Sequence, residues 1–114
     1  MFRAAEERVV ASLGAGLKSN NRLEYLSLAV NPIGDPGATA LGETLKVNEW
    51  LRYLDLGACR IGDPGAIAIG EGLKVNKGLK KLFLWSNQIG DAGATALAAG
   101  LKINKVLERL SLAS

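Results

Sequence analysis

A fixed period of 28 residues constrains this chain more than any other property. Leu23, Leu51, Leu79 and Leu107 each open an LxxLxL segment, and each stands 28 residues from the next. A unit of constant length that recurs in this way buries its apolar face only against copies of itself, so the units must stack. They read LEYLSLAVNPIGDPGATALGETLKVNEW, LRYLDLGACRIGDPGAIAIGEGLKVNKG and LKKLFLWSNQIGDAGATALAAGLKINKV, followed by LERLSLAS. Residues 1–22 supply the second half of an earlier unit, because Leu13, Leu17 and Asn20 precede Leu41, Leu45 and Asn48 by the same interval. A chain of 114 residues makes one domain. It divides into a helical half-repeat at 1–22, full repeats at 23–50, 51–78 and 79–106, and a strand half-repeat at 107–114.

Each repeat has a strand half and a helix half. Leu26 and Leu28 alternate with Ser27, the period of a strand with one buried face. Asp35 with Pro36, and Asp63 with Pro64, look like an N-cap followed by proline at the first helical position, and Asp91 holds the same place in its repeat. Ala38, Leu41 and Leu45 follow at helical spacing, as do Ala66, Ile69 and Leu73. Asn48, Asn76 and Asn104 stand where a left-handed residue would end each helix. Gly42, Gly70 and Ala98 would let neighbouring helices approach closely. This pattern predicts parallel strands at 23–28, 51–56, 79–84 and 107–112, with helices at 3–18, 36–46, 64–74 and 92–102.

The recurrence of LxxLxLxxN, IGDxGAxxL and LKxN in one register resembles the ribonuclease-inhibitor-like subfamily of leucine-rich repeats. That subfamily includes the repeats of cytoplasmic nucleotide-binding immune receptors and of Ran GTPase activators. The resemblance implies an α/β solenoid, a right-handed β-α superhelix with parallel strands on the concave face and helices on the convex face. Strands about 4.8 Å apart beside helices about 8 to 10 Å apart force the same curvature. The resemblance also implies that Asn31 and Asn87, at the ninth position, satisfy backbone groups in the turn. Cys59 takes that place in the intervening repeat, where it reads as a small buried substitute and not as a reactive thiol.

Composition excludes several chemistries. The chain has no histidine, which removes the commonest general base and metal ligand. The three repeated aspartates read as helix caps, and neither GxGxxG nor GxxxxGK[ST] occurs. We therefore expect no enzymatic activity, no cofactor and no metal, and no residue matches a role in GTPase activation. The net charge of +3 is mild and the basic residues are interspersed with acidic ones, so no nucleic-acid partner is expected. No apolar run is long enough for a membrane span and the N-terminus lacks a secretory signal, so no membrane partner is expected. One cysteine forms no intrachain disulfide, which with the rest points to the cytoplasm.

The outward strand positions are where the repeats differ. The third position reads Tyr25, Tyr53, Lys81, Arg109, the fifth Ser27, Asp55, Phe83, Ser111, and the seventh Ala29, Gly57, Trp85, Ala113. Aromatic residues and arginine are the composition of interface hot spots, so Tyr25, Tyr53, Asp55, Lys81, Phe83, Trp85 and Arg109 form the expected partner-binding set. Two readings are open for the tyrosines, because cross-strand aromatic pairs also stabilise a sheet without a ligand. Phe83 and Trp85 would expose an apolar patch on one strand, which favours binding. Trp50 reads as a packing residue at the solenoid edge, with an exposed edge contact as the alternative.

A non-catalytic module that binds another protein through its concave face is the first expectation. The alternative is a self-assembling unit, a homo-oligomer pairing through Leu110 and Leu112 of the last strand, either two-fold or head to tail. Arg3, Glu6, Glu7 and Arg8 would then cap the opposite end. A segment of a larger receptor and a designed repeat both fit the near-identity of the repeats.

Overall fold

The computed structural model describes residues 14–113. Residues 14–19 are helical, and the chain then alternates β1 (Tyr25–Ser27), α1 (Gly34–Leu45), β2 (Tyr53–Asp55), α2 (Asp63–Val75), β3 (Lys81–Phe83), α3 (Asp91–Ile103) and β4 (Arg109–Ser111). The strands form one parallel sheet in the order β1-β2-β3-β4, and every partner pair, such as Leu26 with Leu54 and Leu54 with Leu82, is one period apart. Each helix is the crossover between two neighbouring strands, as parallel pairing requires. This is the α/β leucine-rich-repeat solenoid. The start of the helix expected at 3–18, and its charged residues Arg3, Glu6, Glu7 and Arg8, lie outside the described residues.

The core is the sum of the repeating leucines. Leu41, Leu45, Leu51, Leu54, Leu56, Ile61, Ile69, Leu73, Leu79, Leu82 and Leu84 are fully buried between sheet and helices. Burial of each such side chain contributes roughly 1.5 to 3 kcal/mol. The helices pack closely, as expected: a Cβ on Gly42 would lie 2.5 Å from the Ala68 carbonyl oxygen.

Strands are three residues long, half the expected length, for a reason visible at their starts. The amide of Leu51 donates to Asn48 Oδ1 (2.9 Å), and Leu79 and Leu107 donate to Asn76 and Asn104, both at 2.7 Å. The first leucine of each repeat thus bonds an asparagine side chain and not the neighbouring strand. Beyond the strands the backbone ladder continues into the turn, with Leu28 N donating to Asp55 O at 2.9 Å and Val30 N to Gly57 O at 2.8 Å.

Two expectations about the helix ends are corrected. Asn76 and Asn104 are extended, at φ −65° and −71°, and not left-handed. Their amides instead reach back one repeat: Asn76 Nδ2 donates to Leu45 O (2.8 Å) and Asn48 O (2.7 Å), while its Oδ1 accepts from Gly78 and Leu79. Asn48 and Asn104 do the same, making a side-chain ladder that is buried at Asn48 and Asn76. Among the described residues, the left-handed ones are Val30, Ala58 and Ser86, at the eighth position, together with Arg60 and Gly34.

Two of the three aspartates, Asp35 and Asp63, do cap a helix, but not their own, and Asp91 makes no such bond among the described residues. Asp63 is the first residue of α2, Gly62 is its N-cap, and the helix has no side-chain cap from within its own repeat. Asp35 Oδ1 accepts from Gly62 N (2.8 Å) and Gly65 N (3.0 Å), and Asp63 Oδ1 accepts from Gly90 N (2.7 Å) and Gly93 N (3.0 Å). One carboxylate thus satisfies the N-cap amide and an orphan first-turn amide of the next repeat's helix, where the helix dipole also favours negative charge. The contact fits only because Gly65 and Gly93 lack a Cβ, which would approach the carboxylate to 2.7 Å.

Candidate functional site

The in-step register sets the outward side chains of neighbouring strands side by side, with diagonal neighbours two residues off. Tyr25 and Tyr53 are register partners and their rings stack, centroids 4.2 Å apart and planes 14° from parallel. Phe83 is the diagonal neighbour of Tyr53, with centroids 5.0 Å apart and a 40° tilt. Arg109 is the diagonal neighbour of Phe83 on the other side, its guanidinium carbon 5.9 Å from the ring centroid in a cation–π contact. Four expected binding residues therefore join into one ridge, Tyr25–Tyr53–Phe83–Arg109, across all four strands. Tyr25 is 58% exposed although Tyr53 covers one side of its ring.

Lys81 stands exposed on the same face, between Tyr53 and Arg109 in register. Among the described residues it makes no ion pair, whereas Lys80 beside it lies 3.9 Å from Glu108. Asp55 and Trp85 are joined: Trp85 Nε1 donates to Asp55 Oδ1 (3.1 Å), which also accepts the Gly57 amide (2.9 Å). Trp85 does not project freely from the strand. Its ring lies across Gly57, where a Cβ would fall 1.9 Å from the indole. The half-exposed indole thus roofs the preceding repeat and forms one wall of the face.

The Tyr53 hydroxyl is held above the ordinary phenol range, first by its side-chain hydrogen bond with Tyr25 and then by desolvation, with the charges of Tyr25 and Asp55 adding and Arg109 opposing. The ridge runs from two phenol rings on β1 and β2 to a guanidinium on β4. Cys59 is fully buried, its Sγ 3.2 Å from the Leu28 carbonyl oxygen, as Asn87 Nδ2 is 2.9 Å from that of Leu56. Burial pushes its thiol up, against smaller opposing backbone hydrogen bonds, so it stands in for asparagine.

The two residues expected to self-associate separate. Leu110 is half-buried and packs against the core, while Leu112 is 42% exposed. Trp50 follows the exposed alternative, being 51% exposed on the rim where the helices end; Val47, Val75 and Ile103 are also exposed there. Among the described residues, no helix is long and apolar enough to cross a membrane.

The family model described as Leucine Rich repeat matches residues 19–42, 47–70 and 75–98. No functionally curated protein matches the sequence. Among solved structures, leiomodin-1 actin-binding site 2 is similar at 28% identity and TM-score 0.86, over 93% of this chain and 62% of that one. This chain therefore spans less than two thirds of the leiomodin-1 structure. The tropomodulin C-terminal domain of Caenorhabditis elegans has the same fold, at 14% identity and TM-score 0.66, over 92% of this chain and 83% of that one.

Proposed function

This chain belongs to the leucine-rich-repeat family, and on that premise we propose that it is a non-catalytic module that binds another protein through its concave strand face. Tyr25, Tyr53, Phe83 and Arg109 are the contact ridge, with Lys81 beside it and Trp85 with Asp55 as its wall. One observation carries the reading: the aromatic and cationic side chains that break the repeat pattern join into a single ridge on one surface. The 28-residue unit with its 12- and 13-residue helices supports the ribonuclease-inhibitor-like subtype. A single buried thiol fits the reducing cytoplasm.

Actin is the first partner to test, because the similar leiomodin-1 structure is itself an actin-binding site. The experiment is binding to monomeric actin and co-sedimentation with filaments, for the parent and for Tyr25→Ala/Phe83→Ala. The reading expects the parent to bind and the double variant to lose about 2 kcal/mol or more. No binding by the parent removes actin as the partner. Equal binding by parent and variant moves the site off the strand face.

Self-association along β4 is a second reading, and the exposed Leu112 favours it. Light scattering of the parent against Leu112→Lys tests it, since a parent that is monomeric at high concentration ends that reading.

A further inference from the structure

We propose that the strand face takes an acidic segment of its partner in one fixed direction, with carboxylates over Lys81 and Arg109 and an aromatic or aliphatic side chain on Tyr25. This rests on the strand-face reading above and adds the chemistry of the ligand.

The charge on the face is unevenly placed. In the third-position column two neutral rings are followed by two cations, and Lys81 and Arg109 are direct register partners on adjacent parallel strands. Like charges side by side in a sheet destabilise it. In the neighbouring column the last two repeats place Lys80 beside Glu108, so opposite charges meet there. Arg109 leans over the Phe83 ring, which offers a partial negative face but no carboxylate. Lys81 is left facing solvent. An anion laid across these two positions would relieve the repulsion and gain two cations at once.

Toward the other end of the ridge the face turns acidic. Asp55 is on β2, in register with Phe83 and held by the Trp85 indole and the Gly57 amide, and the exposed Glu24 immediately precedes β1, so both acidic residues stand on the β1 side of Lys81 and Arg109. What that end offers is the open side of the stacked Tyr25 ring, a platform for one more flat or apolar side chain. A ligand with its acidic residues toward β1 would meet Asp55 and leave Lys81 and Arg109 unpaired, so only one direction satisfies both ends.

The test is selection of a random phage-displayed peptide library on the purified protein, then affinity measurement of the enriched peptides on three proteins. These are the parent, Lys81→Glu/Arg109→Glu and Tyr25→Ala/Phe83→Ala, each checked by circular dichroism and thermal melting. The proposal expects enriched peptides to combine two or more acidic residues with an aromatic or aliphatic one, in a constant order. It expects the charge reversal to weaken them at least about tenfold. Enriched peptides that depend on Tyr25 and Phe83 but are neutral or basic would overturn this inference and leave the strand-face reading standing. Acidic peptides that bind both variants as well as the parent would overturn the strand-face reading itself, and acidic peptides weakened by the charge reversal alone would overturn the role given to Tyr25. Absence of any enrichment contradicts the inference.

Discussion

The two rims of the solenoid and its strand face obey different rules, although the same 28-residue unit builds both. On the rims the same side chain recurs in repeat after repeat, and it bonds backbone groups of the next or the preceding unit. Asp35 and Asp63 reach forward to the next helix, and Asn48, Asn76 and Asn104 reach back to the previous one. On the strand face the residue changes at each step, and the bonds it makes, ring on ring or cation on ring, leave surface open to solvent. Identity between repeats thus marks side chains that hold repeats together. Difference marks side chains available to something else.

Removing a rim asparagine is the strongest way to break this comparison. Asn76→Ala abolishes four hydrogen bonds at a site 3% exposed. Unmet buried groups cost roughly 1 to 3 kcal/mol each, so we expect a loss of about 3 kcal/mol or more in urea denaturation. A loss below about 1 kcal/mol would mean the ladder is not structural. Asp63→Ala should cost about 0.5 to 2 kcal/mol. Its signature is local: hydrogen exchange should speed up at Gly90 and Gly93 of the following repeat, not at the start of α2. Exchange that rises at α2 instead would restore a cap within the repeat.

The smallest effect concerns Cys59, whose thiol lies above its ordinary value because it is buried. The folded chain keeps this proton at a pH where the unfolded chain releases it. The corresponding stability is complete below the ordinary thiol pKa of about 8.5 and is lost as pH rises above it. In the native protein at pH 8, labelling by a thiol reagent should be slow and should accelerate on addition of urea. Fast native labelling would show that the ninth position is open.

The period, the alternation of strand and helix and the register were all legible, because each is written in residues one unit apart. The roles of Asp and Asn were misread because caps were sought within a few residues along the chain. The bonds that join the repeats span 27 to 31 residues, which in a stacked repeat is next door. Trp85 on Gly57 was equally readable as a large residue facing an empty position one period earlier. The diagonal contacts Tyr53–Phe83 and Phe83–Arg109 were written at 30 and 26 residues, one period plus or minus two. What no offset encodes is the ring geometry, because the tilt of each side chain depends on neighbours in three strands.

Under the proposed function the varying strand face, and not the repeating helical side, meets the partner. The most direct measurement is a titration of ¹⁵N-labelled protein with a selected peptide, followed by amide and indole chemical shifts. We expect the largest shifts in β1 to β4 and at the Trp85 indole N–H, whose bond to Asp55 reports on the wall of the face. Shifts concentrated in α1, α2 and α3, with the Trp85 indole unmoved, would contradict that function.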